Sequence, residues 1–205
     1  MLLTRKNISK ENMTLKENLA IASLELSRLK QFERENSRLR DALDFKKSKP
    51  FRSVAARVIG RSPSAWSRTI IIDRGTKNDI KKGMAVCTKE GLVGTIKEPG
   101  PFSSKVMLLT DPNSKIGVIL ADSRQAGVLE GSRGGMECIV KYLSMDEEIN
   151  KGEPVYTSGY GGIYPKNIFV GNIIKVYTDT ASFYKYATVK LAQNPNSIDE
   201  VICLK

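Results

Sequence analysis

Carboxylates, hydroxyls and thiols are the groups in this chain that could act on a substrate. Asp73, Asp111 and Asp122 each follow a β-rich run. Two facing carboxylates would suit glycoside hydrolysis. Nothing in the spacing brings any two together, however, and aspartate also ends strands because its side chain closes turns. Ser103-Ser104-Lys105 sets a hydroxyl beside an amine. Adjacent strand residues point to opposite faces, which works against a Ser104–Lys105 dyad. Cys87, Cys138 and Cys203 are far apart, odd in number and without Cys-x-x-Cys spacing. They read as small buried hydrophobes rather than metal ligands or a disulfide framework, a single pairing among them being the alternative. Histidine is absent, so histidine-activated nucleophiles and histidine-ligated metals are excluded. No catalytic residue, metal site or cofactor is expected.

Two further segments suggest contact rather than catalysis. Gly159-Tyr160-Gly161-Gly162 lacks the Lys-Ser/Thr and the helix that a phosphate loop needs. Its glycines suit positive-φ turns, and the loop carries Tyr160, Ile163, Tyr164 and Pro165. This cluster reads either as an exposed partner-binding surface or as a plug packed on a neighbouring barrel. Phe183-Tyr184-Lys185-Tyr186 places aromatics beside a lysine, as a nucleic-acid stacking platform would. A hairpin strand that buries Phe183 or Tyr184 is the simpler reading. The net charge of +11 is divided almost evenly between residues 1–50 and the rest. Such dispersed basicity fits either a solvated surface or an anionic partner such as nucleic acid, phospholipid or wall polymer. A basic nucleic-acid-binding β module is therefore the alternative reading.

Two kinds of element must position these residues. The first is a helix. Leu15, Leu19, Ala22, Leu26 and Leu29 follow alternating steps of four and three, a heptad seam. Phe32, Asn36, Leu39 and Leu43 continue it after a second consecutive step of three, a stammer that overwinds a supercoil locally. Asn36 on the seam favours one register, often a parallel pair. The seam from Ile8 to Leu43 would span roughly 54 Å as a helix. It predicts a parallel homodimer, the rival being one amphipathic helix lying along its own β portion. The seam stops at Lys46-Lys47-Ser48-Lys49-Pro50. No run of residues reaches the apolar length of a membrane-spanning helix.

The second element is the short β-strand. From Val54 onward, β-rich runs of about five residues alternate with glycine, proline and aspartate turns, as in a small sandwich or barrel. The chain also repeats itself. Ile80-Lys81-Lys82-Gly83 matches Ile149-Asn150-Lys151-Gly152, and Val93-Gly94-Thr95-Ile96 matches Val170-Gly171-Asn172-Ile173. The second copy carries an insertion within Ser158–Asn167. The pattern predicts a mainly β fold behind an amino-terminal helical coiled coil, with two small related β-barrels or half-barrels. Two hairpins that merely share glycine turns would give a similar pattern. The expected division is 1–49 for the coiled coil, 50–115 for the first barrel and 116–205 for the second, with strands open to exchange between them.

The runs IIIDRGTKNDIKKGMAV, GLVGTI, SSKVMLLTDPNSKIGVIL, GVLEG and TSGYGGIYPKNIFVGNI resemble, in order and spacing, the core of the MreC family of bacterial rod shape-determining proteins. The likeness extends from Val54 to the carboxyl end, and a preceding coiled coil fits the family layout. The resemblance implies two six-stranded-type barrels related to the trypsin double barrel but without its triad. It also implies a non-enzymatic scaffold of the cell-elongation machinery. Expected partners are the chain itself, in a parallel homodimer or higher self-assembly, the elongation transpeptidase, and membrane proteins of the same complex; no nucleic acid is expected. The implied place is the extracytoplasmic face of the bacterial cytoplasmic membrane, periplasmic in a Gram-negative, through an amino-terminal anchor that residues 1–205 do not include. Asn167 stands where the family commonly has glycine.

Overall fold

The computed structural model describes residues 2–42, 53–62, 68–132, 137–179 and 183–204, and within the helix the side chains of 12–35. Helix α1 spans Leu2–Ala42, 41 residues without a break. No proline and no glycine interrupts it, and lysine, glutamate, leucine and arginine are strong helix formers. The Lys/Pro junction and Leu43 lie outside the described residues.

The remainder is β structure. Strands β1 (Ser53–Arg61), β2 (Thr69–Ile72), β3 (Ala85–Cys87), β4 (Leu92–Pro99) and β5 (Ser104–Leu108) come first. Then follow β6 (Lys115–Leu120), β7 (Ala126–Gly131), β8 (Cys138–Leu143), β9 (Pro154–Thr157), β10 (Phe169–Asp179), β11 (Tyr184–Leu191) and β12 (Glu200–Leu204). They form two closed antiparallel six-stranded barrels, ordered β1-β12-β3-β4-β5-β2 and β10-β11-β8-β7-β6-β9. Closure leaves neither sheet with an open edge.

The strand orders superimpose when β1–β5 are set on β7–β11. The sixth strands are then exchanged. β12 sits between β1 and β3 of the first barrel, and β6 takes the equivalent slot between β7 and β9 of the second. Glu200–Leu204, inside the 116–205 segment expected for the second barrel, thus closes the first. The two crossings use the same turn. Asp111 Oδ1 accepts the Asn113 N–H at 2.9 Å, and Asn194 Oδ1 accepts the Asn196 N–H at 3.0 Å. Each carbonyl of Asp111 and Asn194 also accepts the N–H of the serine three residues on. An arginine from the β1–β2 hairpin pins each crossing. The Arg68 N–H donates to Asp111 Oδ2 and its guanidinium to the Thr110 and Ser132 carbonyls, while Arg61 donates to the Pro195 carbonyl at 2.7 Å.

The repeated Val-Gly pairs have a steric cause. A Cβ on Gly94 would lie 2.1 Å from the Met107 carbonyl oxygen, and one on Gly171 would lie 2.1 Å from that of Lys190. In each copy the neighbouring strand approaches too closely for any side chain. Alternation fills the interiors. Ile70, Ile72, Val86, Ile96, Val106 and Val201 line the first barrel, and Ile116, Val118, Leu129, Val140, Val155 and Val189 the second. β3 is buried on both faces. Val86 points into its own barrel, whereas Ala85, Cys87 and Leu92 join the core of the second, so one apolar seam welds the barrels together.

Candidate functional site

Most of the groups that could do chemistry are committed to structure. Asp73 accepts the Arg57 N–H at 2.8 Å and pairs with the Arg74 guanidinium at 3.1 Å. Asp111 is fully buried, with both oxygens engaged at the first crossing. Asp122 is exposed and donates its N–H to Glu153 Oε1. The Ser104 hydroxyl is buried and donates to the Arg74 carbonyl at 2.7 Å. Lys105 lies on the opposite face of β5 and pairs with Glu98 at 2.9 Å, so no Ser104–Lys105 dyad forms. All three cysteines are free and buried. Burial pushes the Cys87 and Cys138 thiols up to about 12 and the Cys203 thiol up to about 11, far from the thiolate that nucleophilic or metal chemistry needs. Among the described residues no cluster of three or more His, Cys, Asp or Glu could hold a metal ion.

Surfaces are what remain. Along α1, Leu15, Leu19, Leu26, Leu29 and Phe32 are 54–74% exposed, and Ala22 is exposed with them. Asn36 and Leu39 fall on helical backbone beyond the described side chains, and Leu43 beyond the described residues. A continuous apolar row on a single helix is unusual for a surface facing water.

The second surface is the inserted loop between β9 and β10. Thr157 anchors it: its hydroxyl donates to the Pro165 carbonyl at 2.6 Å and accepts the Ile168 N–H at 2.9 Å. Asn167 adopts φ +67° and donates its N–H to the Thr157 carbonyl. This left-handed position is one that glycine takes freely and asparagine tolerates. The four residues expected to bind a partner divide. Tyr160 is 70% exposed, and Ile163 is exposed beside it. Tyr164 turns inward, packs on the core and shares a hydrogen bond with Thr95 of the first barrel. Burial holds its hydroxyl above the ordinary tyrosine range. Pro165 is half-buried. The loop is thus both a strut between the barrels and a mount for two apolar side chains.

One expectation is overturned in the β10–β11 hairpin. Neither Phe183 nor Tyr184 is buried; they are 79% and 43% exposed. Phe183 stands at φ +57°, in the turn rather than the strand, so alternation along β11 does not carry it inward. Sequence reasoning also passed over Tyr142 and Gln125. Their arrangement depends on a bulge and on a cross-strand contact that no local pattern announces.

Known proteins frame these surfaces. The family model "Rod shape-determining protein MreC, barrel core" matches residues 58–205. The cell shape-determining protein MreC of Bacillus subtilis is 32% identical over 96% of this chain and 72% of its own length. That of Listeria monocytogenes is 34% identical over 98% and 70%. A solved Listeria MreC covers 95% of both chains at a TM-score of 0.83 and 32% identity. A structure described as the major periplasmic domain of the cell shape-determining filament MreC covers 78% of this chain and 98% of its own, with a TM-score of 0.70 and 25% identity. A solved complex of penicillin-binding protein PBP2 with MreC from Helicobacter pylori shares the fold, with a TM-score of 0.61 and 16% identity over 76% of this chain and 99% of that one. By sequence over nearly its whole length and by its paired barrels, this chain belongs to the MreC family of rod shape-determining proteins.

Proposed function

We propose that the chain is a non-enzymatic scaffold of the cell-elongation machinery, pairing in parallel through α1 and binding cell-wall synthesis proteins through its barrels. The exposed heptad seam carries the reading: a helix of this length with Leu15, Leu19, Leu26, Leu29 and Phe32 in water calls for a second copy. Most of the titratable and nucleophilic side chains above are buried or occupied by structural hydrogen bonds, which agrees with a role in assembly. The Helicobacter complex supports a cell-wall transpeptidase as partner, with other membrane proteins of the elongation complex beside it. The periplasmic description of a related structure supports a place on the extracytoplasmic face of the cytoplasmic membrane.

Tyr160 and Ile163 are proposed as the transpeptidase contact, because exposed aromatic and aliphatic side chains on a rigid mount make strong interface anchors. The test is surface plasmon resonance with the purified ectodomain of the elongation transpeptidase from the same cell. Binding is expected, and Tyr160→Ser with Ile163→Ser should weaken it by at least about tenfold. No binding by a folded chain would refute the scaffold reading, and unaltered binding by the double variant would refute this choice of loop.

A further inference from the structure

An aromatic cleft on the second barrel lies outside the seam and the inserted loop. It has a volume of about 660 Å³ and is lined by Gln125, Tyr142, Met145, Asp146, Glu147, Phe183 and Tyr184, with Ala126 and Ser144 between them. Three aromatic side chains are exposed around it, Phe183 and Tyr142 by more than half. Tyr142 and Tyr184 meet edge to face, 5.6 Å between centroids at 86°. Two of the three are held in left-handed backbone, Tyr142 at φ +64° and Phe183 at φ +57°. That conformation is uncommon for any side chain and a real outlier for bulky ones. Its cause at Tyr142 is a register shift between β8 and β11, where Lys141 and Tyr142 together oppose Tyr186. A bulge of this kind re-aims a side chain, and here it turns Tyr142 out beside Tyr184.

Two polar features specify what the cleft would hold. Gln125 is 9% exposed, and its Oε1 accepts the Ser144 N–H at 2.7 Å. That bond fixes the orientation of the amide, because a flipped one would set N–H against N–H. Its Nε2 is buried without a hydrogen-bond partner, an arrangement that costs stability until an acceptor oxygen reaches it. The rim carries three consecutive acids. Asp146 and Glu147 line the cleft and Glu148 follows them, while Lys185 donates its ammonium to the Glu147 carbonyl at 2.6 Å and Lys141 is held by Glu130. On a chain of net charge +11, this strip gathers three negative charges at one edge of the cleft.

We infer that this cleft takes an extended cationic peptide segment of a partner protein. An arginine or lysine side chain would lie over the Tyr142, Tyr184 and Phe183 rings against Asp146 and Glu147, and a main-chain carbonyl would accept from Gln125 Nε2. Aromatic faces attract such cations within about 6 Å, and acidic neighbours add charge complementarity. The assignment rests on the scaffold reading only in taking the occupant to be a protein.

The test is calorimetric titration of the full chain with two acetylated, amidated heptapeptides. One alternates arginine with leucine, and the other replaces arginine by glutamate. The arginine peptide should bind at one saturable site per chain, less tightly as salt rises. Phe183→Asn keeps a residue that tolerates left-handed backbone and removes the ring; it should weaken binding by about tenfold. Asp146→Asn with Glu147→Gln should do the same. Equal binding of both peptides, binding of neither, or unchanged affinity in variants with unchanged melting would overturn the assignment. If the chain binds transpeptidase but no arginine peptide, the cleft assignment alone falls. If the peptide binds and transpeptidase does not, the scaffold reading alone falls.

Discussion

Removing β12 should unfold the first barrel and leave the second the more protected of the two. β12 makes five registered positions with β1 and three with β3. An antiparallel ladder supplies roughly one hydrogen bond per position, each contributing about 0.5–1.5 kcal/mol net. Val201, 2% exposed, adds about 1.5–3 kcal/mol of burial. The loss is roughly 6–15 kcal/mol, which matches the entire stability of an ordinary domain. β6–β11 keep every ladder partner of the second barrel, though they lose the cover of Ala85, Cys87, Leu92 and Leu204. Hydrogen exchange read by mass spectrometry on a chain ending at Ser197 should show β1–β5 unprotected and β6–β11 exchanging far more slowly. Val201→Asp in the full chain, which buries an unpaired charge, should give the same division. A synthetic peptide of residues 193–205 added to the shortened chain should restore protection in β1–β5. Unchanged protection of β1–β5 in both the shortened chain and Val201→Asp would refute the reasoning, because the closing strand would then contribute little.

Three other perturbations follow from local contacts. Thr157→Val keeps the shape but orphans the Ile168 N–H and the Pro165 carbonyl, and should cost about 2–4 kcal/mol in urea unfolding, with faster exchange confined to the inserted loop. Asn167→Ala forces left-handed backbone on a residue that resists it and should cost about 1–2 kcal/mol, whereas Asn167→Gly should not destabilise. Glu130 accepts from Lys141 at 2.6 Å, and this hydrogen bond holds the carboxyl below the ordinary glutamate range. A depressed carboxyl stabilises the fold above its unfolded pKa of about 4.3 and loses that contribution as pH falls through its folded value. Stability of the parent should therefore exceed that of Glu130→Gln at neutral pH, with the gap closing below about pH 4, measured by urea midpoints across pH.

Much of this architecture is legible in local pattern, and the misses share a cause. The helix announces itself by its heptad steps and the absence of proline. The strands show because β-branched runs are bounded by glycine and aspartate turns. The duplicated Val-Gly pair points to two related β units because a close strand approach admits only glycine at Gly94 and Gly171. The pattern leaves exchange between the barrels open, but which strands exchange is a different matter. β6 and β12 have the same alternating burial, so either would fit either barrel by pattern alone. The signal that could have found it is the paired Pro112-Asn113-Ser114 and Pro195-Asn196-Ser197 turns, which mark equivalent crossings. The inward turn of Tyr164 depends on Thr95, 69 residues away in the chain. The outward turns of Tyr142 and Phe183 depend on a bulge and on a positive-φ turn. Each of these is settled by a cross-strand partner or a backbone state rather than by the residue's own neighbours in sequence.

Pairing of two chains along the α1 seam is the claim on which the scaffold reading most depends. Burying one leucine fully contributes about 1.5–3 kcal/mol, and the described seam exposes four of them and a phenylalanine. Sedimentation equilibrium on the full chain measures the pairing directly. The parent should weigh twice the chain mass, and Leu19→Asp with Leu26→Asp and Leu29→Asp should weigh one chain mass while its β-sheet circular dichroism stays that of the parent. A monomeric parent, or a triple variant that remains dimeric, would contradict the paired stalk.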